Sequence, residues 1–309
     1  MYRIRIATLC WVLTFSSSVM AQSLIVPIWP NEDLVCKPEK AEEIEDDPKI
    51  GRRIRLVNEP SIEVFLPPSY RANGTAVLIC PGGGYSNLAY DWEGTELAKW
   101  YNRRGMAACV LKYRLPYDFG PECREKVALA DAQRAMRLIR THALDWHLDS
   151  DKIGVMGFSA GGHLASSLST HFDLGDPNSE DPVEHESCRP DFAVLIYPVI
   201  SAYVEERLPS TMRHLLGNTP DPDRLDHFSN EKQVGPDTPP TFLLHAADDM
   251  GVPVGHSLRF FDALQAEGVP CEMHIYPKGG HGFALAENHP SLKNWLNLLE
   301  LWLSTWAGE

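Results

Sequence analysis

Gly157-Phe158-Ser159-Ala160-Gly161 sets a serine between two glycines, after the apolar run Ile153-Gly154-Val155-Met156 and before Gly162-His163-Leu164-Ala165-Ser166-Ser167-Leu168. A strand that turns sharply into a helix at that point holds the serine in strained dihedrals and aims its hydroxyl into a cleft. Glycines two before and two after let strand and helix pass closely. A serine hydroxyl is a weak nucleophile at neutral pH and needs a base, normally a histidine oriented by a carboxylate. Two later segments offer both. Thr241-Phe242-Leu243-Leu244-His245-Ala246-Ala247-Asp248-Asp249 reads as a strand ending in acids. Met273-His274-Ile275-Tyr276-Pro277-Lys278-Gly279-Gly280-His281-Gly282-Phe283 reads as a strand ending in a glycine-flanked histidine. Twelve histidines are present, so His281 stands out by its position and not by its type. His245 ends a strand, His274 lies within one and His163 falls on the helix after the serine, so these three read as packed or hydrogen-bonded structural residues.

Acyl transfer also needs donors for the oxyanion that forms when serine adds to a carbonyl. One is usually the backbone amide after the nucleophile, here Ala160, and the other comes from a glycine-rich loop after an early strand. Cys80-Pro81-Gly82-Gly83-Gly84-Tyr85 occupies that place.

These residues need a frame. Strands are predicted at Arg53–Val57, Ile62–Phe65, Ala76–Cys80, Ala107–Tyr113, Ile153–Met156, Phe192–Tyr197, Thr241–His245 and Glu272–Tyr276. Helices are predicted at Gly94–Arg104, Lys126–Ala143, Ala160–Thr170, Val254–Glu267 and Pro290–Trp306. The first two strands have hairpin-like spacing and the later ones alternate with helices. That order predicts an α/β fold, with a mostly parallel central sheet that has an antiparallel start and helices on both faces. Reactive residues of such sheets gather beyond the carboxyl ends of the strands. Glu42-Glu43-Ile44-Glu45-Asp46-Asp47 reads as a solvated surface segment, and the Pro-, Asp- and Asn-rich stretch from His214 to Asp237 as a surface excursion.

The start of the chain is basic to Arg5 and apolar from Ile6 to Met20, with small residues before a predicted signal-peptidase cut after Ala21. Its apolar stretch of about 15 residues, broken by Ser16-Ser17-Ser18, is short of the roughly 20 that a spanning helix needs, so no stable membrane insertion is expected. Residues 22–309 then form one exported catalytic domain, secreted or periplasmic. Loss of Arg3 and Arg5 takes the net charge from −14 to −16, which argues against nucleic acid as a partner. Cys80 and Cys109 sit in apolar runs and read as free thiols, while Cys36, Cys123 and Cys188 lie in predicted loops and are the better candidates for a bridge. Wide cysteine spacing gives no metal signature. No cofactor is implied, because nucleophile, base and oxyanion donors are all protein groups.

Pro81-Gly82-Gly83-Gly84-Tyr85, Leu111-Lys112-Tyr113-Arg114-Leu115-Pro116, Ala130-Asp131-Ala132-Gln133-Arg134-Ala135, the segment from Gly157 to Ala165 and Gly280-His281-Gly282-Phe283 together resemble the acetylxylan-esterase and feruloyl-esterase-like (BD-FAE-like) branch of the α/β-hydrolases. The resemblance runs from about Ile25 to Trp306 and includes Val26-Pro27-Ile28-Trp29-Pro30. It implies the α/β-hydrolase fold and the chain order serine, acid, histidine, with Ser159 as nucleophile and His281 as base. Asp249 is implied as the acid because it stands directly before Met250-Gly251-Val252-Pro253, which leaves Asp248 as a turn-stabilising side chain. Matching residue by residue implies Gly83 and Gly84 as oxyanion donors beside Ala160, although the lipase-type loop begins with histidine where this chain has Pro81. Tyr85 and Trp92 are expected to bind substrate, with Tyr90, Tyr113 and Tyr117 as further candidates for the mouth. The implied activity is that of a secreted serine carboxylesterase that removes acetyl groups from plant or algal polysaccharide or oligosaccharide. Feruloyl ester cleavage, exopeptidase action on the same fold and a catalytically silent binding protein are the alternatives. Glycoside cleavage would need two carboxylates flanking a sugar cleft, and no pair is singled out.

Overall fold

Runs of Val, Ile, Leu and Ala without polar alternation suit strands that are covered on both faces, and here they form the middle of a sheet. A computed structural model of the chain describes residues 23–30, 34 and 36–307. The apolar N-terminal segment and the cut after Ala21 lie outside the described residues. In chain order the strands are β1 (Leu24–Pro27), β2 (Glu43–Asp47), β3 (Gly51–Arg55), β4 (Ser61–Phe65), β5 (Ala76–Cys80), β6 (Leu88–Ala89), β7 (Ala107–Lys112), β8 (Ile153–Phe158), β9 (Ala193–Ile196), β10 (Thr241–Ala246) and β11 (Cys271–Tyr276). The helices are α1 (Glu96–Asn102), α2 (Pro121–Arg124), α3 (Val127–Thr141), α4 (Ser159–Thr170), α5 (Ser210–Leu216), α6 (Pro222–His227), α7 (Gly255–Ala266) and α8 (Trp295–Ala307).

Eight strands form the main sheet in the order β1-β4-β7-β5-β8-β9-β10-β11. The pairs β1/β4 and β4/β7 are antiparallel and every later pair is parallel, which is the α/β-hydrolase arrangement of a parallel sheet with an antiparallel start. Every residue of β5, β8, β9 and β10 is buried. The chain leaves β5 for β7 on one side and returns to β8 on the other, so the strand order reverses at β5. Ligands of such sheets bind at that switch, beyond the carboxyl ends of the strands. Cys80 at the end of β5 stands opposite Gly157 on β8, so the triple-glycine loop and the serine turn emerge side by side.

The expected hairpin near the start does not form. β3 pairs with β2 and β6 in a separate three-stranded sheet, while β4 joins β1 and β7 in the main one. The acidic run is exposed at the surface, as expected, and is in addition a strand, because β3 presents arginines to it. Glu43, Glu45 and Asp46 stand opposite Arg55, Arg53 and Arg52, and Asp47 meets Arg53 at 2.9 Å. Opposite charges across a strand pair favour that register.

Cys36 and Cys123 form a disulfide. Cys188, the third candidate for a bridge, is instead a buried free thiol whose sulfur accepts from the Asp173 amide at 3.2 Å. Cys80 and Cys109 are buried and free. Three of the segments that carry the family resemblance meet in a buried lock. Asp131 on α3 accepts from the Arg114 guanidinium at 2.6 Å, the Arg114 amide at 2.8 Å and the Trp29 indole at 2.7 Å. This ties the N-terminal segment to the helix behind the sheet. Among the described residues no helix is long and apolar enough to cross a membrane, and no group of three His, Cys, Asp or Glu is placed to hold a metal.

Candidate active site

Ser159 takes a left-handed φ of 52°, between the last residue of β8 and the first turn of α4. That conformation is unfavourable for a residue with a Cβ and persists only where the surroundings enforce it. Here the enforcement is close packing. A Cβ on Gly157 would stand 2.1 Å from the carbonyl oxygen of Gly161, and one on Gly161 would stand 2.1 Å from that of Cys80. Only glycine lets the three backbones approach this closely.

The loops after β10 and β11 bring the other two candidates to the serine. His281 Nε2 lies 2.9 Å from Ser159 Oγ, and His281 Nδ1 lies 2.7 Å from Asp249 Oδ2. Asp249 is buried. Its Oδ1 accepts the amides of Gly251 and Val252, both at 2.8 Å, and His245 Nε2 stands 3.4 Å from its Oδ2. Burial opposes the negative charge, but the contacts from His245, His281 and the Val252 amide outweigh it and hold the carboxyl well below the usual range. An ionised acid is what fixes the tautomer of the imidazole and favours its cation. Asp248 points elsewhere, and its Oδ1 accepts the amides of Gly279 and Gly280, both at 2.9 Å, in the loop that carries His281. His245, expected to be structural, is buried and bonded to Ser257 and Val252 as well as facing the acid. His163 is buried beneath the turn, between Tyr85 and the carbonyl of Phe228, and burial lowers its pKa to about 4. His274 pairs with Glu272 and lies away from the serine's cavity.

Gly83 and Gly84 line the same cavity as Ser159 and His281. The amides of Gly83, Gly84 and Ala160 donate to no protein acceptor among the described residues. The Gly82 amide is already engaged, donating to Glu93 Oε2 at 2.8 Å. Glu93 went unnoticed in the sequence. It is buried, and its Oε1 accepts from the Tyr197 hydroxyl at 2.8 Å, which in turn accepts the Ala284 amide at 3.0 Å. Burial raises its pKa, against the hydrogen bonds from Tyr197 and Gly82 that favour the carboxylate. Glu93 thus braces the triple-glycine loop against the histidine loop. No local pattern marked it, because its two partners, Gly82 and Tyr197, lie in separate and distant segments.

The cavity measures about 680 Å³. Trp92 forms part of its wall and donates its indole N–H to the Gly282 carbonyl at 2.9 Å. Tyr85 does not line it, contrary to expectation. Its φ of 60° turns the side chain down under the glycine loop, where it is buried with its hydroxyl 2.9 Å from His163 Nδ1. Tyr90 and Tyr113 are also buried, and Tyr117 is exposed against His214 outside the cavity. The opposite wall comes from Glu205, Arg207, Pro209, Thr211 and Arg213, just before the stretch read as a surface excursion. That excursion is in fact anchored. Leu215 and Leu216, where α5 runs into it, are buried, and His214 Nδ1 lies 2.6 Å from the Gly84 carbonyl.

A parallel sheet that carries a serine on a strained strand-to-helix turn, with an acid and a histidine after its last two strands, defines an α/β-hydrolase. The chain belongs to the BD-FAE family, whose family model matches residues 62–264. It is 38% identical over 212 residues to endo-1,4-beta-xylanase B of Butyrivibrio fibrisolvens, covering 69% of this chain and 33% of that one. It is 35% identical over 225 residues to the acetylxylan esterase of Xylanibacter ruminicola, covering 71% of this chain and 42% of that one. The chain therefore spans less than half the length of these curated relatives. Among solved structures it is similar to an acetyl ester-xyloside bifunctional hydrolase from Caldicellulosiruptor lactoaceticus, with a TM-score of 0.79 and 37% identity over 94% of this chain and 98% of that one.

Proposed function

We propose that the chain is an exported serine carboxylesterase that removes acetyl groups from plant or algal polysaccharide or its oligosaccharides. The observation that carries this reading is the continuous line from Asp249 through His281 to Ser159, with contacts of 2.7 and 2.9 Å. His281 Nε2 takes the proton of Ser159 Oγ as the oxygen adds to the ester carbonyl. The oxyanion is met by the amides of Ala160 and of Gly83 or Gly84. Its collapse expels the sugar alcohol, which receives the proton from His281, and leaves an acetyl-serine. Water, deprotonated by the same imidazole, then adds to the acetyl carbon, and collapse releases acetate while His281 returns the proton to Ser159 Oγ. Asp249 keeps Nδ1 protonated throughout and stabilises the cation. Trp92 offers an aromatic wall to the sugar.

The names of the xylanase, the acetylxylan esterase and the acetyl ester-xyloside hydrolase support a xylan-type substrate. Ester cleavage is favoured over glycoside cleavage because the latter needs two carboxylates, and of the two that line the cavity, Glu93 and Glu205, the first has both oxygens already hydrogen-bonded. The Cys36–Cys123 bridge supports export with removal of residues 1–21, since such bonds persist in oxidising compartments. The reading is tested by acetate release from acetylated xylo-oligosaccharides, alongside feruloylated oligosaccharides and an aminoacyl anilide. Wild type should prefer the acetyl ester, and folded Ser159→Ala should lose about six orders of magnitude in turnover. Preference for the feruloyl ester or the anilide would transfer the substrate class. A folded Ser159→Ala that keeps more than about a tenth of the activity would remove the serine from its role.

A further inference from the structure

We propose that His256 and Glu205 form a subsite in the Ser159 cavity that binds a hydroxyl group of the sugar carrying the ester, an inference that rests on the reading above for the identity of the sugar. His256 stands in the first turn of α7 and is fully buried. Its Nδ1 accepts two backbone amides, Ile200 at 3.1 Å and Ser201 at 3.2 Å. Two donors on one ring nitrogen fix the tautomer, so the proton sits on Nε2. Burial, with His245, His163 and Arg259 nearby, lowers the pKa to about 3 and keeps the ring neutral. Among the described residues the Nε2–H has no acceptor within hydrogen-bond distance. Buried donors are seldom left without a partner and call for an explanation, and His256 belongs to the wall of the Ser159 cavity.

One candidate acceptor is Glu205 Oε1 at 3.8 Å, too far for a direct bond. Both residues line the cavity that holds Ser159 and His281. One oxygen can sit about 2.8 Å from both atoms across such a gap. To satisfy both, it must accept from the imidazole and donate to the carboxylate. A hydroxyl does both, whereas an ether or ester oxygen cannot donate and an ammonium group cannot accept. A ligand carboxylate would be repelled by Glu205. The pair therefore selects a neutral alcohol, and pyranose hydroxyls are the alcohols that a sugar ester brings next to its acyl group. The segment that carries Glu205 is held against α7, with Arg259 donating to the Tyr203 carbonyl at 3.2 Å and the Tyr203 amide bonded to Ser201 Oγ at 3.1 Å.

His256 also satisfies two backbone amides, so its replacement risks the fold, and Glu205 is the residue to vary. Methyl β-D-xyloside should inhibit 4-nitrophenyl acetate hydrolysis competitively in wild type. Glu205→Ala should raise that inhibition constant about tenfold or more, and Glu205→Gln, which keeps an acceptor oxygen, should raise it less. The constant is read against whatever aryl acetate turnover each variant retains, so it does not depend on the size of that turnover. A wild type that the xyloside does not inhibit, an unchanged constant in Glu205→Ala, or the reverse order of the two variants would overturn the subsite. Failure of the esterase reading has a different signature, namely xyloside inhibition without acetate release from acetylated xylosides.

Discussion

Asp248 and Asp249 are adjacent in the chain and serve different loops. Asp249 touches the imidazole of His281 and is held ionised there, whereas Asp248 fastens the backbone that carries His281. Replacing the first acid with asparagine should leave the ring in place but remove both the charge and the acceptor that fixes its tautomer. We expect Asp249→Asn to lower turnover by about 10⁴. Asp248→Asn keeps an acceptor oxygen for Gly279 and Gly280 and should cost less than about tenfold. Steady-state kinetics on an acetyl ester checks this, and comparable losses would reassign the acid. The two aspartates could be told apart in the sequence only through family resemblance, since local composition is the same for both. Ser159 and His281 were legible because glycines flank each of them at a strand end. Tyr85 was misread for a physical reason, because a positive φ at that residue reverses the direction of its side chain and nothing in the residue type signals it. Glu93 and His256 were missed because a buried polar residue acquires meaning only from distant partners.

The strand-turn-helix element around Ser159 tolerates little change in its backbone packing. β8, α4 and the end of β5 share one crossing where a methyl group at Gly157 or Gly161 would meet a backbone oxygen at 2.1 Å. Neither oxygen can swing away as a side chain would, so the backbones must separate. Gly157→Ala and Gly161→Ala should each destabilise by about 1–3 kcal/mol, and displacement of the serine should depress turnover beyond what the loss of folded protein explains. Gly120→Ala and Gly235→Ala are the controls, since a Cβ at either position meets nothing within 4 Å. Thermal melts and turnover per folded molecule check this, and a stable, fully active Gly161→Ala would refute the packing argument. The central strands were legible because a run such as Ala76–Cys80 has one physical use, burial on both faces. Strand partners were not. Spacing suggested that β3 and β4 pair, yet β3 pairs with β2, where Arg53 and Arg55 meet Asp47 and Glu45, while Arg52 turns to Asp91. The short helices α5 and α6 escaped notice because a Pro- and Asp-rich composition, read without its buried Leu215 and Leu216, describes a loop.

At the scale of the whole molecule, the N-terminal segment is joined to the body by two devices that meet near Arg114. One is the Asp131 lock with Trp29, and the other is the Cys36–Cys123 bridge, whose Cys36 carbonyl accepts from Arg114 at 3.2 Å. The bridged cysteines are 87 residues apart, so the bond removes a large closed loop from the freedom of the unfolded chain. Loss of a native bridge typically costs about 2–5 kcal/mol. None of the residues that line the serine's cavity belongs to either device. The bridge should therefore matter for stability and hardly for chemistry. A Cys36→Ser, Cys123→Ser double variant is expected to melt about 5 °C or more below wild type, with aryl acetate turnover within about twofold at temperatures where both are folded. A reductant should lower the wild-type midpoint towards that of the double variant and leave the variant's own midpoint unmoved. Differential scanning calorimetry with and without reductant decides the matter. A wild-type midpoint that ignores the reductant while mass spectrometry finds the two thiols free would show that the bridge does not carry this share of the stability.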